Sequence, residues 1–126
     1  MAQGTFGTAI NCIDGRAQAP VAAWVRDNAH VDYVDTVTVP GADYALTHMT
    51  PDRLTQMREM VAVSVNAHGS QIIAIAGHFG CAAFDADRAG HEAAIRSAVR
   101  VVQDWGLPVR VVGLWVNEQW QVEPVE

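Results

Sequence analysis

Two short segments carry the residue types that bind metals. Cys12-Ile13-Asp14-Gly15-Arg16 and Gly77-His78-Phe79-Gly80-Cys81 each follow an apolar stretch, and together they offer two thiolates and one imidazole. Cysteine sulfur and histidine nitrogen suit zinc, and three protein ligands leave a fourth position open, as catalytic sites do. The gap between Cys12 and His78 is far too long for a zinc finger or ribbon, so a fold must bring the halves together. Alone, Cys12 reads as a small buried hydrophobe. With His78 and Cys81 at matching strand ends, it reads as a ligand.

The neighbouring residues fit a working metal. Two thiolates cancel the formal charge of Zn²⁺, which makes it a weaker acidifier than zinc held by neutral imidazoles, yet it still brings the pKa of water far below the bulk value. Asp14 can accept a hydrogen bond from that water while Arg16 keeps the carboxylate ionised and turned off the metal. Alternatively Asp14 binds zinc itself and closes the site, once the Arg16 partnership is lost. Gly15, Gly77 and Gly80 allow close backbone approach, and Phe79 and Phe84 are candidates for an apolar wall.

The elements that must position these residues follow from hydrophobic spacing. Thr5 to Ile13 reads as a first strand, with Cys12 at its carboxyl end. Pro20 to Ala29 is an amphipathic helix with Pro20 in its first turn, and Val31 to Val39 is a second strand ended by Pro40-Gly41. Residues 42–49 have no readable pattern and are long enough to line a site or cover it. Thr50-Pro51-Asp52 starts a helix that Gly69 stops, and Gln71 to Ala76 is a buried strand delivering Gly77 and His78. Asp85 or Asp87 caps a helix running to about Trp105. Val109 to Val116 is a fourth strand, followed by a short edge strand from Trp120 to Val122.

This alternation predicts an α/β fold: a three-layer open sheet, mostly parallel, in strand order 2-1-3-4 with a short edge strand and helices on both faces. Ligands gather beyond the carboxyl ends of such strands, where the winding reverses. Neighbouring first and third strands would place Cys12 beside His78 there. Residues 1–126 are read as one domain.

Composition excludes several other roles. Half the residues are hydrophobic and 17% are charged, and no apolar run approaches the ~20 residues that span a bilayer. No basic segment leads into a hydrophobic one at the N-terminus, so the expected address is cytoplasmic, without a membrane partner. The net charge is −6, and no Lys/Arg cluster is available to follow a phosphate backbone, which argues against nucleic acid. Cys12/Cys81 redox chemistry is weakly supported because the two do not form a Cys-x-x-Cys pair.

The paired motifs resemble those of the β-class carbonic anhydrases, in which Cys-x-Asp-Ser-Arg and His-x-x-Cys carry zinc and an Asp/Arg dyad. Pro40-Gly41-Ala42 stands where that family has Ala-Gly-Asn, and Val112 to Val116 with Gln121-Val122 is similar to its terminal hairpin. The resemblance implies Zn²⁺ on Cys12, His78 and Cys81, catalytic Asp14 and Arg16, a homodimer, and a lyase that hydrates CO₂ to bicarbonate. A zinc hydrolase of COS or CS₂, or a non-catalytic zinc-binding relative, would use the same residues. Gly15 departs from the family serine, Ala82 from its glycine, and the Arg-Asn before the second turn is missing. Among the other histidines, His30, His48, His68 and His91 read as structural, with His48 a minor candidate for proton shuttling. Trp24, Trp105, Trp115 and Trp120 read as packing or a dimer surface.

Overall fold

The computed structural model describes residues 3–126. In chain order the elements are β1 (Phe6–Asn11), α1 (Gly15–Ala29), β2 (Tyr33–Thr38), α2 (Ala42–His48), α3 (Pro51–His68), β3 (Ile72–His78), α4 (Arg88–Gln103), β4 (Arg110–Val116) and β5 (Val122–Val125). The strands form one sheet in the order β2-β1-β3-β4-β5. β1 to β4 are parallel, and β5 pairs antiparallel with β4. The expected order and the mostly parallel α/β class are both present. No helix among the described residues is long and apolar enough to cross a membrane.

β1 and β3 are buried along their whole length, as their unbroken apolar sequences require. Side chains alternate between the two faces of each strand. Ile10, Ile73 and Ile75 meet Leu46 of α2, Met57 and Val61 of α3 and Ala98 and Val102 of α4. On the other face Ala9, Ile72, Ala74 and Leu114 meet Ala17, Val21 and Val25 of α1. Three helices thus cover one face and α1 the other. Each fully buried Val, Leu or Ile contributes about 1.5–3 kcal/mol to this arrangement.

The helix ends explain where the elements stop. Thr50 Oγ1 accepts from the Arg53 amide at 3.4 Å, and Gly69 ends α3 in the left-handed region at φ 68°. Asp87, not Asp85, caps α4, with its carboxylate accepting from the Gly90 amide at 2.8 Å. The first helix is longer than its sequence suggests. It begins at Gly15 because Asp14 caps it, accepting from the Arg16 amide at 3.0 Å, and Pro20 lies inside it, where it forfeits one hydrogen bond.

Other boundaries differ too: β2 is shorter than Val31 to Val39, and β3 runs on to His78. Residues 42–48 form α2, entered through Gly41 at φ 60°. β1 ends at Asn11, and Cys12 is the first residue beyond, its amide donating to Asn11 Oδ1 at 2.8 Å. β5 starts at Val122 because Asn117 Oδ1 accepts from the Gln119 and Gln121 amides, both at 3.0 Å, and Trp120 turns left-handed at φ 59°. That conformation cannot continue a strand.

Gly113 shows how tightly α4 lies on the sheet, since a Cβ there would stand 2.5 Å from Ile95 Cγ2. Gly113→Ala is expected to cost about 1–3 kcal/mol by overpacking. Urea denaturation should show a lower midpoint with an unchanged slope.

Candidate metal centre

Cys12 leaves β1, His78 ends β3, and Cys81 follows in the next loop. β1 and β3 are paired neighbours, and the chain winds outward from them in opposite directions. The sheet therefore brings the two sequence motifs together at its switch point. The Sγ atoms of Cys12 and Cys81 and a ring nitrogen of His78 all lie within 4.8 Å of one another, and the three residues are buried.

The local chemistry prepares a ligand set. His78 Nδ1 lies 2.8 Å from the Phe79 carbonyl, which can only accept, so Nδ1 carries the proton and Nε2 presents its lone pair. That Nε2 is buried without a hydrogen-bond partner. Unpaired buried nitrogen is costly in an ordinary core, whereas a metal between the two sulfurs satisfies it. The two thiols and one imidazole fit a zinc-type donor set. Burial pushes the Cys81 thiol up, against the Ala83 and Phe84 amides that favour its thiolate, and neighbouring Cys12 pushes it up further. A divalent cation bound there would reverse that balance by favouring the thiolate.

Asp14 stands at the rim. Arg16 grips it through Nε to Oδ1 at 3.0 Å and Nη2 to Oδ2 at 2.7 Å. This fork holds the carboxyl down at about 2, helped by the Arg16 amide and opposed by partial desolvation. Asp14 Oδ2 lies 4.0 Å from His78 Nε2. In the structure Asp14 is thus turned toward Arg16 while remaining close to the ligand cluster.

The adjacent cleft, of about 190 Å³, is lined by Cys12, Ile13, Asp14, Pro40, Ala82 and Ala83. Its apolar wall comes from Ile13, Pro40 and the two alanines, not from the expected phenylalanines. Phe79 lines a neighbouring cavity with Trp115 and Arg88. Phe84 instead stacks on Tyr44 with ring centroids 4.7 Å apart. No spacing rule in the sequence would have pointed to Pro40 or Ala83.

The remaining histidines do different work. His30 ends α1 in the left-handed region, and His68 Nδ1 pairs with Asp35 Oδ2 at 2.6 Å. His48 is exposed, bonded to the Tyr44 carbonyl at 2.8 Å and stacked on the Tyr44 ring. It does not line the metal cleft. His91 is the residue that sequence reasoning underrated. It and Asp43 are each 1% exposed and joined Nδ1 to Oδ2 at 2.7 Å, tying α4 to α2. The Asp43 carboxylate fills the space where a side chain on Gly77 would sit, directly before His78. The signal available was an Asp at the start of α2, which dipole preference alone explains.

A β-carbonic-anhydrase-like fold carrying a Cys-His-Cys candidate metal site is what this geometry defines. The chain belongs to the family described as "Putative carbonic anhydrase", which matches residues 2–126. No curated protein matches it. Among solved structures it is similar to β-carbonic anhydrase isoform I of Trichomonas vaginalis, at 18% identity and TM-score 0.62, covering 94% of this chain and 81% of that one. It is also similar to one of two tetrameric β-carbonic anhydrases of Sordaria macrospora, at 10% identity and TM-score 0.64, covering 98% and 82%. An apo carbon disulfide hydrolase matches at 10% identity and TM-score 0.62, covering 94% and 78%. At these identities the structural likenesses establish the fold.

Two outcomes follow from the charges. In metal-free protein the Asp14 carboxyl should titrate at about 2 by NMR, and Arg16→Ala should return it toward the ordinary value of about 3.9. Because the folded value is depressed, the pair stabilises the fold above the unfolded value. That contribution is lost as pH falls from about 4 through 2. His91→Ala removes the partner of the buried Asp43 Oδ2, leaving only the Tyr44 amide on Oδ1, and should cost about 3–5 kcal/mol in chemical denaturation.

Proposed function

We propose that this protein is a zinc-dependent carbonic anhydrase that hydrates CO₂ to bicarbonate, with Cys12, His78 and Cys81 as ligands and Asp14 and Arg16 as the catalytic dyad. The observation that carries this reading is the buried, partnerless His78 Nε2 beside two thiols, opening on an apolar cleft. Zinc held there supplies the Lewis acidity that turns water into a nucleophile near neutral pH.

The chain's own residues do the rest. Asp14, ionised throughout the working range, accepts a hydrogen bond from the attacking water and fixes which lone pair faces the substrate. Arg16 keeps that carboxylate charged and directed. Ile13, Pro40, Ala82 and Ala83 offer a small neutral molecule an apolar seat that holds bulk water poorly. Bicarbonate, being anionic and hydrated, is favoured outside such a seat. A homodimer belongs to the same reading; the Sordaria relative is tetrameric, which supports self-assembly of the fold but not that copy number.

A second reading has a specific observation behind it. The apolar lining would also accept COS or CS₂, and the carbon disulfide hydrolase shares the fold. Stopped-flow measurement of CO₂ hydration on protein carrying one zinc per chain separates these. A zinc-dependent rate that falls about a hundredfold or more in Asp14→Ala is expected. No rate above buffer in fully loaded protein would discard CO₂ hydration in favour of the sulfur-containing substrates or a purely structural metal.

A further inference from the structure

Trp120 lies in the turn between β4 and β5, outside both metal motifs. Its backbone is in the left-handed region at φ 59°, and the only other described non-glycine residue with positive φ is His30 at the end of α1. A bulky side chain holds that conformation only where its surroundings over-determine it, and such positions cluster at functional sites. Here Asn117 does so. Its side-chain oxygen accepts from the Gln119 and Gln121 amides at 3.0 Å each, its carbonyl accepts from the Trp120 amide at 2.9 Å, and its amide donates to the Gln121 carbonyl at 2.9 Å.

The indole so placed faces the metal cluster's rim. Arg16 Cζ stands 4.6 Å from the Trp120 ring centroid, and the His78 ring centroid is 6.3 Å away. The Arg16 guanidinium is thereby held by two kinds of contact. Its N–H groups carry the fork to Asp14, with Nη2 also 3.5 Å from the Gly80 carbonyl, and its Cζ lies over the indole ring. Its side chain is 59% exposed, so without the ring it would be free to swing into water. Tryptophan is the best of the aromatic residues for holding a cation in this way.

We propose that Trp120 is a positioning residue that holds the Arg16 guanidinium on Asp14 and so keeps Asp14 off the open position of the metal. Released from Arg16, the carboxylate has only a short way to travel, with Oδ2 already 4.0 Å from His78 Nε2. The inference rests on reading Cys12, His78 and Cys81 as metal ligands.

Cobalt-loaded protein tests it without any turnover measurement. Thiolate-to-cobalt absorption reports the metal site, and azide, which needs an open position, reports whether Asp14 has closed it. Arg16→Ala sets the full effect, a weakening of azide binding by at least about threefold. Trp120→Leu, which keeps apolar bulk but no π-face, should show most of that loss, and Trp120→Phe should stay nearer wild type. In an Asp14→Ala background Trp120→Leu should change nothing, because the competitor is gone; a purely structural role for Trp120 would persist there.

Equal losses in the Phe and Leu variants, a loss that survives in the Asp14→Ala background, or wild-type azide binding in Trp120→Leu beside a weakened Arg16→Ala would each overturn the proposal. So would wild-type azide binding in Arg16→Ala. Absent thiolate-to-cobalt absorption in wild type would instead overturn the metal reading beneath it. A measurement on wild type alone guards against a leucine variant that does not fold: the Arg16 Nε–H resonance should be displaced upfield by the indole, and an undisplaced resonance would reject the contact.

Discussion

The parallel pairing of β1 with β3 is the constraint on which the site depends. Both strands are buried on both faces, so neither can slip by one residue without turning isoleucines out of one layer and alanines out of the other. That fixed register sets Cys12 beside the end of β3 and aims His78 out of the sheet at the same level. Everything else attaches to this seam. α1 starts from Asp14, the loop after β3 returns Cys81, and the turn after β4 brings Trp120 over Arg16.

The site separates its charges by depth. The candidate ligand atoms are buried: an imidazole whose Nδ1 is held on the Phe79 carbonyl, two sulfurs, and among these a Cys81 thiol pushed up by burial. The permanently charged pair stays outside, where Arg16 is largely solvated and Asp14 is held well down. Beneath lies a second acid–base pair, Asp43–His91, which does not line the cleft but fills the space under Gly77. Acidic groups thus flank His78 on two sides, one paired with arginine at the surface and one with histidine in the core.

Much of this was legible in the sequence because it depends on local rules. Hydrophobic runs gave the strands, the Thr50-Pro51 start and Gly69 stop gave α3, and the alternation of elements gave the strand order and hence the meeting of the two motifs. What escaped depended on competition between rules or on tertiary contact. Pro20 suggests a helix start, but Asp14 caps the chain six residues earlier, and a cap with a fork outweighs one lost hydrogen bond. α2 is too short for periodicity to declare itself, and its partner for Asp43 is 48 residues away. Trp120 packs against the core on the α1 side, as expected, but its place over Arg16 escaped because nothing in its neighbours announces a left-handed turn; the turn is made by the Asn117 side chain.

The distance along the chain between Cys12 and Cys81 has a thermodynamic side. A metal joining Cys12, just after β1, to His78 at the end of β3 and Cys81 beyond it would tie together more than half of the chain, including three helices and the strand β2 in between. It would act as a cross-link that exists only in the native topology, because the unfolded chain would have to close a long loop to form it. By mass action the folded state then gains stability with free metal in solution. The protein's resistance to unfolding would become a readout of metal supply, set by the same three side chains proposed to hold the ion.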